Sequence, residues 1–302
     1  MMSTFNGERY IKEQIDSILN QEGVNVFLMI RDDGSTDNTV EILKDYSKKN
    51  ENIVAIKGKN IGVGNSFMQL LYKSTEAEYY AFADQDDVWK KDKLIRGIEK
   101  ISSIDSDHAV CYASNQTVVN QNMEIQGLRY DYYPSTEIAG IINQNPYSGC
   151  TMILNKVLRD MLIDKDKRPS ADFFCVRIHD AWIAMYACCV GKIIYDENSY
   201  ILYRQHHDNV VGAGKKSVLG KAKGYMEYLW DSDKKNYRSK AAHQLLMSID
   251  KSLMSEKTRK ILQLFDNLGT VSGRIEFCKS DMIFENVKNK NLFRLKAMLG
   301  LL

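Results

Sequence analysis

Tyr79-Tyr80-Ala81-Phe82-Ala83 is an uncharged, aromatic-rich run that breaks directly into Asp84-Gln85-Asp86-Asp87. The run reads as a short buried strand. Three carboxylates crowded at its end repel one another unless a cation lies between them. In an open α/β sheet, ligands bind outside the carboxyl ends of the strands. A hard divalent metal, Mg²⁺ or Mn²⁺, holding a diphosphate satisfies both facts. The competing reading is an acidic turn capping a helix that starts near Trp89, and the stretch alone leaves both open.

The same rhythm recurs upstream. Val26-Phe27-Leu28-Met29-Ile30 is continuously apolar, as in a parallel strand covered on both faces, and it too leads into acid: Asp32-Asp33-Gly34-Ser35-Thr36-Asp37. Ile11, Ile15, Ile18 and Leu19 mark one face of a helix. Asn38 with Glu41 reads as a capping box for a helix carrying Val40, Leu43 and Tyr46. Ile53 to Ile56 is a short strand, and the glycine loop Asn60-Ile61-Gly62-Val63-Gly64-Asn65 opens a helix with Phe67, Leu70 and Leu71 inward. A further helix runs through Leu94, Ile98 and Ile101. This alternation predicts an α/β fold, a doubly wound, mostly parallel sheet flanked by helices.

The middle of the chain is less regular. Ala109 to Ser114 and Thr117 to Val119 read as strands, with Asn120-Gln121-Asn122 as a turn. Gly149 to Leu154 starts a strand that runs into a helix. His179 to Val190 is a helix, with Gly191 suited to a left-handed C′ position. Lys192 to Tyr195 and Tyr200 to Tyr203 are the last strands, and beyond Lys215 the sequence is mainly helical.

At 302 residues the chain can bury one large domain, or one domain with an appendage. A net charge of +2 gives no argument for a nucleic-acid partner, and none is expected. The six cysteines form no CxxC pair and read as buried small hydrophobes in a reducing compartment. No signal peptide and no apolar stretch of about eighteen residues is found, so the expected location is cytoplasmic.

Four stretches carry chemistry besides the first. The acceptors of Asp32 to Asp37 suit a nucleobase or ribose, or a helix-capping turn. An EF-hand with Gly34 at its sixth position would need an acid at Met29, and no Walker phosphate loop occurs. His179-Asp180-Ala181-Trp182 opens a helix, where an acid favours the macrodipole. As chemistry, Asp180 is a general base that takes a proton from an attacking hydroxyl, with Asp172 after Pro169 as runner-up. Trp182 either lines a sugar pocket or packs. In Tyr203-Arg204-Gln205-His206-His207-Asp208-Asn209, Arg204 and His206 contact a diphosphate or complete a metal shell, and His207 reads as a solvated loop residue. Ser3-Thr4-Phe5-Asn6-Gly7 is a polar turn before a helix.

Taken in order, these five motifs resemble those of family 2 glycosyltransferases, nearest to the bacterial rhamnosyltransferase-like branch that builds surface polysaccharides. The resemblance covers about residues 1 to 210. It implies a GT-A fold at 1–212, with a nucleotide-binding half to about 115, an acceptor half from 116, and a helical extension at 213–302. It implies a nucleotide-diphospho-sugar donor, a divalent metal and an inverting single displacement onto a hydroxyl of a growing polysaccharide or lipid-linked glycan. Thr4 and Asp33, with Asn6 beside them, would contact the nucleoside. Asp84 and Asp86 would be the DXD pair holding ribose and metal-diphosphate, with His206 also on the metal. Asp180 matches the base, and Arg204, Asp87 and Trp182 the diphosphate and sugar side. A carboxylate at Asp33 accepts from N3–H of uracil or thymine, which points to a UDP- or dTDP-sugar, rhamnose included. Only Met1 and Met2 precede Ser3, where the family carries several more apolar residues, so either the sequence starts late or the first strand is truncated.

Two other functions compete. A sugar nucleotidyltransferase would need a glycine-rich, basic loop that Ser3 to Lys12 lacks. A catalytically inactive nucleotide-sugar binding protein sits poorly with intact Asp84, Asp86 and Asp180. Asn291 to Leu302 is apolar with basic punctuation, and Lys279, Lys288 and Lys290 lie upstream. It reads as a surface helix on anionic lipid at the inner face of the plasma membrane, as packing on the domain, or as a homodimer contact.

Overall fold

The computed structural model describes residues 1–104, 106–176, 178–206, 236–284 and 289–302. Its first part alternates β1 (Met2–Thr4), α1 (Ile11–Leu19), β2 (Leu28–Asp32), α2 (Thr39–Lys49), β3 (Ile53–Lys57) and α3 (Val63–Lys73). The three strands pair in parallel in the order β1-β2-β3, as the strand–helix rhythm predicts for β2 and β3; β1 takes in Ser3 and Thr4, which the sequence reads as a polar turn, because they pair with Arg31 and Asp32. Every residue of β2 is buried, which its apolar, two-sided sequence requires.

The second part holds β4 (Tyr79–Ala81), β5 (Val88–Trp89), α4 (Lys93–Ser102), β6 (Val110–Asn120), β7 (Ile125–Leu128), α5 (Ile138–Asn143), β8 (Ile153–Asn155), α6 (Lys156–Leu162), α7 (Phe173–Val176), α8 (His179–Val190) and β9 (Lys192–Gln205). Its strands run in the order β4-β8-β6-β9-β5, with β7 on β6. The long β6–β9 ladder is parallel, whereas β4–β8, β6–β8 and β5–β9 are antiparallel. Taken with the all-parallel β1–β3 unit, most paired residues are parallel, and the antiparallel pairings are confined to the second sheet. A parallel bridge between Met2 and Ala83, with Ala83 N donating to Met1 O at 2.9 Å, joins the two sheets. That seam brings the loops after β2 and β4 side by side.

Several local expectations change. No helix starts near Trp89: Val88 and Trp89 pair with Leu202 and Ile201, and α4 begins at Lys93. The acidic turn therefore does not cap a helix there. Asn38 is the residue before α2, but its side chain bonds Glu8, and Asp37 receives Thr39 N instead. The two strands read around 109–119 are one, continuous through Asn115 and Gln116 with register shifts there. Both amides are buried, which explains why the polarity looked like a break. Likewise β9 runs unbroken through the polar stretch between Tyr195 and Tyr200. Gly191 ends α8 in extended rather than left-handed backbone, and a β-carbon there would strike the Ala109 carbonyl.

The C-terminal part is helical, with α9 (Tyr237–Ser248), α10 (Glu256–Asp266), α11 (Val271–Lys279), α12 (Asp281–Phe284) and α13 (Lys290–Met298). Tyr237, Leu245, Phe265 and Phe277 share one apolar core with Phe67, Leu154 and Trp182. The 212/213 boundary, His207 and Lys288 lie outside the described residues. Among those described, no helix is long and apolar enough to cross a membrane. On α13 and just after it, Leu292, Leu295 and Leu299 are exposed, so helix packing covers only part of that segment. A cavity of about 850 Å³ opens at the amino ends of β2 and β4, bordered by Phe27, Met29, Tyr79 and Ile95. It lies at the opposite end of these strands from the acidic loops.

Candidate active site

The loop after β2 is a closed network. Asp33 is buried and ion-paired with buried Arg31, and it also accepts from Ile61 N at 2.9 Å and Gly62 N at 3.0 Å. Arg31 reaches on to Gln69 Oε1 at 2.7 Å and Lys59 O at 2.9 Å. Asp32 Oδ2 accepts from Gly34 N and Ser35 N, a tight turn that Gly34 makes with φ +89°. Asn6 accepts from Thr36 N at 2.9 Å and donates through its own N to Ser35 Oγ at 2.9 Å. Thr4 donates to Gln85 Oε1 at 2.6 Å, and Gln85 belongs to the loop after β4. Thr4, Asn6 and Asp33, far apart in sequence terms from Asp84, thus border one site.

The loop after β4 is open by comparison. Ligand atoms of Asp84, Asp87 and Cys150 all lie within 4.8 Å of one another. Asp87 is fully buried; one oxygen accepts from Arg204 N at 3.0 Å, and Oδ2 has no hydrogen-bond partner. Burial, then the charges of Asp86 and Asp84, push the Asp87 carboxyl well above the usual carboxylate range. Asp84 is pushed up to about 7 by burial and then by Asp86 and Asp180. Burial likewise lifts the Cys150 thiol well above its ordinary value, so it stays protonated. Lys93, behind the cluster, is buried with its ammonium 3.8 Å from the Trp89 ring centroid and no hydrogen-bond partner. Burial lowers it to about 8.

Clustered carboxylates that are desolvated and mutually repelling, one with an orphaned oxygen, fit a hard divalent cation with oxygen ligands. The soft, protonated thiol of Cys150 is the poorest ligand of the set for Mg²⁺ or Mn²⁺. The metal candidates Asp86 and His206 meet directly: His206 Nε2 is 2.7 Å from Asp86 Oδ2. The Tyr10 ring lies 5.0 Å from the His206 ring, tilted by 34°. Arg204 is buried, ion-paired with Glu13, and donates to Asp86 O at 2.8 Å. Its guanidinium lies 4.6 Å from the Tyr10 ring centroid. Arg204 therefore holds the acidic loop in place from behind, in addition to any contact with a diphosphate.

Asp180, half-buried in the first turn of α8, is felt electrostatically by Asp84, so the two carboxylates share one site. Asp172 is exposed in the turn before α7. Of the two readings of Trp182, the structure has the packed one: the ring is 1% exposed, with Phe173 at 5.3 Å and Tyr186 at 5.7 Å. It cannot touch a sugar in this arrangement. His179 stacks on Phe67 at 4.0 Å, and burial lowers it to about 3, so it is a neutral core residue. Sequence reading missed Tyr10, Glu13 and Cys150. Each joins the site through contacts that bridge 60 residues or more, and no local pattern marks them.

The model of the family described as glycosyl transferase family 2 matches residues 1–162. The dTDP-rhamnosyl transferase RfbG of Shigella flexneri is 32% identical over 231 residues, covering 70% of this chain and 74% of that protein. The crystal structure of S. aureus TarS with UDP superposes with a TM-score of 0.57 at 18% identity, over 100% of this chain and 78% of that one. A mannosyltransferase of Pyrobaculum calidifontis, solved with GDP-Man and Mn²⁺, gives 0.54 at 13% identity, over 100% of this chain and 79% of that one. With that family match spanning both acidic loops, and a mostly parallel sheet that shares its fold with these enzymes, the chain belongs to glycosyl transferase family 2 and is a glycosyltransferase of GT-A fold.

Proposed function

We propose that this enzyme transfers a sugar, rhamnose being the leading candidate, from a UDP- or dTDP-sugar onto a hydroxyl of a growing polysaccharide or lipid-linked glycan, with inversion. The observation that carries the reading is the position of Asp180, one carboxylate within electrostatic reach of Asp84 yet on a separate element. An inverting displacement needs that separation, with a base on the acceptor side and the leaving group held opposite. Asp180 takes the proton of the attacking hydroxyl at a carboxylate oxygen. Asp84, Asp86, Asp87 and His206 would hold a divalent metal, which when bound neutralises the departing diphosphate. Arg204 ties down both residues, through its N to an Asp87 carboxylate oxygen and through Nε to the Asp86 backbone carbonyl.

Rhamnose rests on the likeness to the Shigella flexneri enzyme, and the nucleoside on Asp33. An ionised carboxylate has about four acceptor sites. Arg31, Ile61 and Gly62 fill three at Asp33, which leaves one on Oδ2 for the N3–H of uracil or thymine. Release of nucleoside diphosphate from UDP- and dTDP-sugars, present with Mn²⁺ and gone in excess EDTA, tests the reaction. Calorimetry should rank UDP and dTDP above GDP and ADP; GDP as the tightest ligand would overturn the nucleoside assignment.

The exposed Leu292, Leu295 and Leu299, with Lys290 and Arg294 alongside, support contact of the C-terminal segment with an anionic membrane surface. Co-sedimentation with phosphatidylglycerol vesicles, lost in Leu292→Ser/Leu295→Ser, is the expected result. Equal pelleting of that variant, or a dimer that covers the same face in solution, would remove this contact.

A further inference from the structure

The hairpin β6–β7 ends in Arg129-Tyr130-Asp131-Tyr132-Tyr133, a concentration of aromatics that the transfer chemistry does not use. Tyr132 and Tyr133 are 53% and 58% exposed. Exposed aromatic clusters on an otherwise polar surface mark binding sites. These rings are held, not dangling. Tyr130 and Tyr132 meet edge-on at 5.3 Å, and Tyr133 meets Tyr195 edge-on at 5.3 Å. Buried Asn115 clamps the loop, donating to Tyr130 O at 2.8 Å and accepting from Tyr130 N at 3.2 Å. Arg129 N donates to Gln116 O at 2.9 Å.

The same clamp reaches the reaction centre. Arg129 lies 5.5 Å from the Tyr130 ring centroid and 5.3 Å from that of Tyr203, and donates to Gln116 Oε1 at 2.9 Å. Gln116 Nε2 donates to Cys150 Sγ at 3.1 Å, and Cys150 sits in the acidic cluster. The two amides that interrupt the apolar pattern of β6 therefore tie the tyrosine loop rigidly to the acidic loop.

Rigid, exposed aromatic faces with a carboxylate between them suit one ligand chemistry well. The apolar C–H face of a pyranose stacks on a ring, and its hydroxyls hydrogen-bond to Asp131 and the phenols. The nucleoside is already placed at Thr4, Asn6 and Asp33. Resting on the glycosyltransferase reading of the site, we propose that Tyr130, Tyr132 and Tyr133 form a stacking platform for a pyranose ring of the acceptor glycan.

Saturation-transfer NMR with methyl α-rhamnoside, methyl α-glucoside and methyl N-acetylglucosaminide as probes tests it, using the full chain with saturating UDP or dTDP. Saturation should reach the ring C–H protons of at least one glycoside. In Tyr132→Ala/Tyr133→Ala it should fall about five-fold, while Tyr132→Phe/Tyr133→Phe keeps most of it. Nucleotide affinity by calorimetry should be the same in all three proteins. No transfer to any of the three glycosides, or equal transfer in the alanine variant, would overturn the platform. Failure of UDP and dTDP to bind the wild type would instead strike the proposed reaction, since the glycoside signal is read separately.

Discussion

Asp33 at the end of β2 and Asp87 beyond the end of β4 are both buried carboxylates in loops that follow apolar strands, yet their surroundings differ. Arg31 and two backbone N–H groups surround Asp33, so its charge is matched within the fold. Asp87 has Asp84 and Asp86 for neighbours, one orphaned oxygen, and a lysine whose ammonium rests on Trp89 rather than on a carboxylate. The lesson is physical. A buried charge matched by the chain shapes a loop, and one left unmatched either takes up a proton or is satisfied from outside, as by the divalent cation proposed for this site. The first loop has its charge matched without a ligand; the second does not.

The largest effect falls outside both loops. Asp180→Asn should leave UDP or dTDP affinity intact and slow the chemical step by about two orders of magnitude or more, measured under single turnover. A near wild-type rate would remove the base role from Asp180, and a loss of donor affinity instead would place it with the acidic cluster's binding work.

Next comes stability, where the two loops should respond with opposite sign. Asp33→Asn strands the buried Arg31 and should cost about 3–5 kcal/mol in metal-free, nucleotide-free melts. Asp87→Asn keeps an oxygen for Arg204 N and replaces a carboxyl whose ionisation burial and its neighbours already oppose, so it should leave the metal-free protein as stable as wild type or more so. The same variant should lose metal-induced stabilisation. If both substitutions destabilise the metal-free protein equally, the contrast between the loops is wrong.

The smallest effect is on pH. The Asp84 carboxyl lies near 7 in the folded chain against 3.8 in an unfolded one, so the folded state holds the extra proton between those values. Its contribution therefore weakens as pH rises through that window and is gone above it. With EDTA present, the melting temperature should fall from pH 5 to pH 8, and Mn²⁺ at pH 8 should restore it. A flat profile in Asp84→Asn would assign the slope to that residue; an unchanged slope would assign it elsewhere.

How much of this was legible depended on the range of the contacts. The helix His179–Val190 was read to the residue because an acid at its start and a glycine at its end are local signals. The parallel pair β2–β3 followed from strand–helix rhythm, which is also local, whereas β1 did not, since Ser3 and Thr4 become a strand only by pairing with Arg31 and Asp32. The insertion of β8 between β4 and β6 was not readable, since Tyr80 meets Leu154 across more than seventy residues and nothing in either segment names the other. Trp182 shows the same limit within a correctly read helix. Its spacing fitted a pocket or a core, the core being the commoner fate of a helical Trp, and the placement of Phe173 and Tyr186 decided for the core.

By itself, then, the sequence determined the chemistry available: carboxylates after apolar strands, an acid at a helix start, a histidine and an arginine after the last strand. Tertiary structure decided what each of them does. Asp32 to Asp37 and Asp84 to Asp87 look alike as strings, and only the folded chain supplies Arg31 and the 61–62 amides to one and withholds such partners from the other. A carboxylate's ionisation is set by the charges and solvent within a few ångströms, and those neighbours arrive from distant parts of the chain.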